Sequence, residues 1–313
     1  MSFIMKINKR LFLKKICIIV LIILELVLLL AHFAVGNGQH RTSLFNATQP
    51  LANNVQAVKK RQDIQLRLNR YLKRVTRDKT VSVSFYNLGP LKNSPAAKSK
   101  LAATYQPGKL QAEYHARQPK TAASTYKLFI AAYLFRRAVY QDFTWTPELK
   151  AGFREMIVYS ANDFPEAMLK HYGLDSINQF IKDQQWYAPV FQSEKISKTT
   201  TYSLQLLLMD LVKGRGAFIN TANRNTLLKL MRQQKYRAGI PKGAAQATAG
   251  TTVADKVGFL KDTNNDAGIV TLPNGQHYIL VIFTHGHHQH DFSGFKKIAN
   301  ITKHVQTIVY SKQ

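Results

Sequence analysis

Residues 16–35 read ICIIVLIILELVLLLAHFAV, twenty positions that hold one acid, Glu25, and one histidine, His32. As a helix rising about 1.5 Å per residue, the run spans about 30 Å, the thickness of a hydrocarbon core. Lys6, Lys9, Arg10, Lys14 and Lys15 precede it. The positive-inside rule then keeps the N-terminus cytoplasmic and places the remaining chain outside. A cleaved signal peptide is the alternative, but its apolar region is shorter and its exit small-x-small, whereas His32 lies three residues before Val35. The run therefore reads as an uncleaved signal anchor. At mid-bilayer Glu25 costs about 2.5–3.5 kcal/mol, which the surrounding leucines and isoleucines outweigh. Cys17, the only cysteine, stands at the start of the run, so it is not a lipid attachment site following one. A single cysteine also excludes a disulfide framework and a cysteine zinc site.

The expected organisation is a basic cytoplasmic segment over 1–15, the anchor over 16–35, a polar aperiodic stalk over 36–50 and one domain over 51–313. Lys plus Arg total 44 against 17 Asp plus Glu, a net +27. Beyond the anchor 39 basic residues still face 16 acidic ones. Such a surface seeks an anionic partner. No nucleic-acid signature accompanies the charge, so outside the membrane the expected partner is an anionic cell-wall polymer or lipid surface, and not nucleic acid.

Within the domain, apolar residues recur at helical spacing over 51–75. TVSVSFYNL then alternates as a strand and breaks at NLGP. STYKLFIAAYLFRRAV (124–139) predicts a helix, and 145–235 reads mostly helical. KVGFLK, AGIVTL and HYILVIFT form three short strands, with Asn274-Gly275 a strong hairpin signal, before a last helix over 292–310. Strands at both ends with helices between predict an α+β domain whose terminal segments share one antiparallel sheet.

Ser124-Thr125-Tyr126-Lys127 sets a hydroxyl and an amine three residues apart on one helical face. A lysine neutralised by burial or a cationic neighbour can take the serine proton, and a helix start offers free N–H groups to an oxyanion. Ser160-Ala161-Asn162 adds a proton-passing hydroxyl and an amide for a substrate carbonyl. Lys256-Val257-Gly258 adds positive charge at a strand and a glycine that permits close backbone approach. Each motif has a look-alike: Ser293-Gly294-Phe295-Lys296, Ser176-Ile177-Asn178 and Lys150-Ala151-Gly152. Specificity lies in order and context.

In that context the chain resembles the penicillin-recognising serine hydrolases, particularly the class A β-lactamases. The resemblance covers roughly 52–312 and is strongest at YHARQPKTAASTYK (114–127), RAGIP (237–241) and VADKVGFLKDTNNDAGIVTLPNG (253–275). It implies a β-lactamase/transpeptidase-like fold, an antiparallel sheet flanked by helices plus a helical subdomain. It implies Ser124 as the acylated nucleophile and Lys127 as its base. Ser160 passes a proton to the leaving nitrogen, Asn162 holds the substrate amide, and Lys256 attracts the substrate carboxylate and tunes Ser160. The backbone N–H groups of Ser124 and Phe259 form the oxyanion hole beside Gly258. No metal or organic cofactor is implied.

Three departures stand against the pattern. Val257 replaces the usual Thr or Ser. Tyr187 follows Trp186 where a water-activating loop glutamate is expected, with Glu194 nearby only in sequence. The stretch between Ser124 and Ser160 is short. The chain is therefore expected to acylate on a β-lactam and to deacylate slowly. D,D-peptidase action on D-Ala-D-Ala-like stem peptides is the enzyme alternative, and a catalytically impaired wall-binding protein the alternative from another class. HGHHQH (285–290) could bind a metal but reads as a surface loop, KGRG (213–216) as a helix-ending turn, and Trp145 and Trp186 as packing residues.

Overall fold

The computed structural model describes residues 41–140 and 142–311, without the side chains of 41–54. The basic segment, the apolar run with Glu25, and residues 36–40 lie outside the described residues. Among the described residues, no helix is long and apolar enough to cross a membrane. The chain divides into compact units at Gln56 and Ala57, and all that follows, apart from residues 41–56, lies in the unit Ala57–Gln313.

Helix α1, Arg41–Val75, begins inside the expected stalk. Residues 41–50 are thus helical although their sequence is aperiodic: a helix closes its backbone bonds internally and needs no apolar stripe to continue. Its stripe begins in the second unit, where Ala57, Ile64, Leu68 and Leu72 are buried. Strand β1, Val81–Pro90, follows, then β2, Gln111–Tyr114, and the two-residue β3, Lys120–Thr121. A 3-10 turn, Ala123–Tyr126, leads into α2, Lys127–Val139.

The helical middle comprises α3, Pro147–Arg154, a π-helical turn, Glu155–Tyr159, α4, Asp163–Tyr172, and α5, Leu174–Asp183. It continues through β4, Lys198–Thr199, to α6, Thr201–Lys213, and α7, Thr221–Arg232. Gly214 in the left-handed region caps α6, the turn expected from KGRG. After α8, Ile240–Ala247, come β5, Thr252–Leu260, β6, Thr263–Thr271, and β7, Gln276–Thr284, then α9, Gly294–Tyr310.

Five strands form one antiparallel sheet in the order β2-β1-β7-β6-β5. The terminal segments do share it: Val83 of β1 pairs with Ile282 of β7. Alternation along the strands divides the core. Val83, Phe85, Leu280 and Ile282 pack beneath α1 and α9. Ala267, Ile279, Val281 and Phe283 face α2 and α6 on the other side. The edge strand β5 is therefore left free beside the turn that begins α2.

Two helices cross closely behind β5. A Cβ on Gly243 of α8 would stand 2.1 Å from the Ala299 carbonyl oxygen of α9. Backbone cannot yield as a side-chain tip can. Gly243→Ala is expected to cost at least about 1–3 kcal/mol, read as a lower urea midpoint with an unchanged denaturant slope.

Candidate active site

The 3-10 turn decides the first pair. In such a turn side chains three apart eclipse one another, which sets Lys127 Nζ 3.1 Å from Ser124 Oγ. This corrects the expected α-helical start at 124: the α-helix begins at Lys127, which is fully buried. Lys127 Nζ also donates to the Ser160 carbonyl at 2.5 Å and to Asn162 Oδ1 at 2.7 Å. A neutral amine meets this set well. Its two N–H bonds serve the two carbonyl oxygens, and its lone pair receives the Ser124 hydroxyl. Burial pushes the Lys127 amine down to about 8, against the charge of Glu166, which favours the ammonium.

Ser160 reaches the site through unusual backbone. The π-helical turn ends at Ser160 with φ of 63°, left-handed for a residue that bears a Cβ. The turn is tied to the stretch just after α7 by Gln234 Nε2 donating to the Ile157 carbonyl and by Lys235 N–H donating to that of Val158. Ala123, just before the nucleophile, is also left-handed at 43°. Strain of this kind persists only where its surroundings fix it, and it clusters at functional sites.

The third motif arrives on β5. Lys256 Nζ donates to Ser160 Oγ at 2.7 Å and to the Val257 carbonyl at 2.9 Å. Complete burial, and then the charge of Lys127, push this amine well below its ordinary range. At Gly258 an added Cβ would lie 2.8 Å from Ser124 N and 2.9 Å from Thr125 N. The strand's backbone thus presses on the nucleophile's turn, and only glycine fits there. Phe259 follows on the same edge strand, its ring against Tyr236 and Phe292 at 5.3 and 4.7 Å. The Val257 side chain is buried in the core beneath α8 and α9 and offers the site no polar atom.

Ser124, Lys127, Ser160, Asn162, Lys256 and Gly258 are therefore assembled around one point, with Phe259 next along the strand. The look-alikes have other work. Asn178 accepts the N–H groups of Val190 and Phe191 and donates to the Phe191 carbonyl, pinning the loop that runs from Trp186 to β4. Gly152 packs on the Phe164 ring, and Lys296 is exposed at the start of α9. In the pinned loop Tyr187 N–H donates to Ser203 Oγ. Glu194 is exposed and makes no hydrogen bond to a site residue among the described residues. His287 Nε2 meets Asp78 Oδ2 at 2.7 Å, and no group of three metal-ligating side chains is found among the described residues. Trp186 is buried against Phe129 and Phe180, and Trp145 packs edge-on to Phe135 and Phe153.

A buried acid pair behind β5 escaped the sequence reading. Asp255 and Asp266 are fully buried diagonal neighbours on β5 and β6. Arg237 Nη1 donates to Asp255 Oδ1 at 2.5 Å, and Ile240 N–H to Asp266 Oδ2 at 2.8 Å. Asp255 Oδ2 and Asp266 Oδ1 have no other donor among the described groups, so one shared proton joins the carboxyls. Burial pushes Asp266 up to about 7, and burial with the neighbouring carboxylate pushes Asp255 well up. RAGIP supplied the arginine, but only the strand register brings the acids together.

The sign of the pH effect follows. Between about pH 4 and pH 7 the folded chain keeps a proton that the unfolded chain has released, so the dyad's contribution to stability falls as pH rises through that window. Asp266→Asn keeps a permanent donor toward Asp255. Calorimetric Tm values across this range are expected to fall more steeply with pH in the wild type than in that variant.

A model described as the Beta-lactamase enzyme family matches residues 145–309. Solved structures give the fold. PBP-A, in a mutant form captured as an acyl-enzyme complex with penicillin G, is 19% identical with a TM-score of 0.59, over 81% of this chain and 95% of that one. TLA-1 extended-spectrum β-lactamase is 17% identical with a TM-score of 0.63, over 79% and 99%. A representative class A β-lactamase from Bacteroides cellulosilyticus is 17% identical with a TM-score of 0.59, over 79% and 97%. No curated protein sequence matches the chain.

Proposed function

The chain belongs to the beta-lactamase enzyme family, a family of serine hydrolases, and from that premise we propose that it is a membrane-anchored enzyme whose exterior domain acylates on Ser124 with β-lactams and deacylates slowly. The observation that carries the reading is the linked set of bonds from Ser124 Oγ through Lys127 Nζ to Ser160 and on to Lys256 Nζ.

In the first half-reaction neutral Lys127 takes the Ser124 proton as Oγ attacks the lactam carbonyl. The oxyanion is held by the N–H groups of Ser124 and Phe259. The ring C–N bond breaks as Ser160 gives its proton to the departing nitrogen, and the proton that Lys127 took from Ser124 restores the Ser160 hydroxyl and completes the balance. Asn162 holds the substrate amide, and Lys256 draws its carboxylate. The second half-reaction needs an activated water. Tyr187 follows Trp186 where the family's glutamate is expected, and the carboxylate that acts on Lys127 is Glu166, one turn along α4 from Asn162. Hydrolysis of the acyl-enzyme is therefore slow.

A second reading, D,D-peptidase action on stem peptides of the wall, draws on the same acylation set and on the likeness to PBP-A, a mutant of which was captured as an acyl-enzyme complex with penicillin G. Intact mass of the chain followed over time with penicillin G distinguishes these. A persistent adduct supports acylation with slow turnover. Rapid clearance with product indicates an efficient β-lactamase, and no adduct at any pH indicates the wall-binding alternative. Ser124→Ala is expected to abolish the adduct.

The pH profile adds a sharper test. Because Lys127 acts in its neutral form, the acylation rate is expected to climb about tenfold per unit below about pH 8 and to level above it. Gly258→Ala, which drives a methyl into the nucleophile's backbone, is expected to lower the rate at least about a hundredfold without moving the profile along the pH axis.

A further inference from the structure

The positive charge of the folded unit is not spread evenly. From Ala57 to Lys79 nine basic residues face only Asp63 and Asp78, and α9 holds three lysines and no acid. Over 142–235, by contrast, twelve basic residues face nine acidic ones. The helices α1 and α9 lie side by side, with Tyr71 stacked on His304 at 5.1 Å. Both cover the side of the sheet away from α2 and the site network.

Arg67 is paired with Asp63, and Arg61 donates to the Ala103 and Thr104 carbonyls. Lys59, Arg70, Lys73, Arg77, Lys296 and Lys303 are exposed and have no carboxylate within ion-pair distance among the described residues. Like charges gathered in this way repel one another and raise the free energy of the bare face. An anionic partner lowers it.

The same outer face of α1 carries apolar side chains. Leu66 is 57% exposed, and helical spacing sets it beside Lys59, Arg70 and Lys73, while Val58, 44% exposed, lies at the margin of that face. A soluble polyanion has nothing to offer a leucine. A lipid interface accepts both kinds of group, the apolar tips below the phosphates and the cations among them. The chain that enters α1 also comes from the apolar run over 16–35, five residues before Arg41.

We propose that the outer face of α1 and α9 lies on an anionic phospholipid surface, clamping the domain against the bilayer with its site network on the far side of the sheet. The proposal builds on the anchored reading above, but a different measurement tests it. Charge attraction of this kind is worth about fivefold in surface residence per basic residue and is screened by salt.

The experiment is amide hydrogen exchange on the full chain in vesicles of phosphatidylcholine alone and of phosphatidylcholine mixed with phosphatidylglycerol. Residues 59–79 and 296–303 are expected to exchange several-fold more slowly on the mixed vesicles. High salt should remove that protection, as should the combined variant K59E/R70E/K73E/K303E, whose unfolding midpoint in detergent controls for its fold. Equal exchange on both vesicles overturns the proposal. So does protection that appears only when soluble polyphosphate is added to neutral vesicles, which assigns the face to a polymer. Whether residues 16–35 anchor the chain is read independently, by alkaline extraction of the same vesicles.

Discussion

Two lysine amines buried in one small volume set the terms for everything around them. Each would carry a charge in water, and neither can carry it cheaply here. Lys127 and Lys256 converge on a single residue, Ser160, one at its carbonyl and the other at its hydroxyl. To offer both atoms at once Ser160 adopts the left-handed conformation at the end of a π-helical turn. The nucleophile's own turn is tight for the same reason, since only an eclipsed pair brings Ser124 Oγ onto the amine. Gly258 completes the arrangement, because any larger residue would hold β5 away from that turn. The strain, the turn types and the glycine are one solution to the problem of burying two bases.

Much of this was legible in the sequence, and the boundary is instructive. The hydrophobic period changes from helical to alternating near residue 253, and Asn274-Gly275 marks the last hairpin. Those signals are local, so the terminal strands could be read directly. Their pairing into one sheet followed from packing rules. The three motifs were readable because order and spacing are sequence properties. What could not be read depends on contacts between distant segments. The Asp255–Asp266 dyad exists only once β5 and β6 are in register. Asn178 looked like part of a motif and instead fastens a loop, a difference visible only in its partners. The helical start of α1 over residues 41–50 carries no periodic signal, because a helix closes its backbone bonds without one.

The two faces of the sheet divide the chemistry. One holds the two buried amines and the hydroxyls of Ser124 and Ser160. The other bears the acid dyad beneath α8 and α9 and, beyond those helices, the exposed cations of the outer surface. Asp255 and Lys256 are neighbours in sequence on opposite faces of β5, so a carboxyl whose hold on its proton is strengthened lies one residue from an amine whose hold is weakened. This alternation keeps the two from forming a closed ion pair. Such a pair would leave Lys256 charged and Ser160 without a partner able to exchange protons.

The depressed basicity of Lys256 also bears on how any anion is received. Burial and a neighbouring amine lower its affinity for a proton, and a carboxylate settling beside it raises that affinity again. Arrival of an anionic substrate therefore favours the protonated form of this amine, and substrate binding and proton binding are linked at one nitrogen. The charge that the substrate brings is met by the charge that it helps the site to hold.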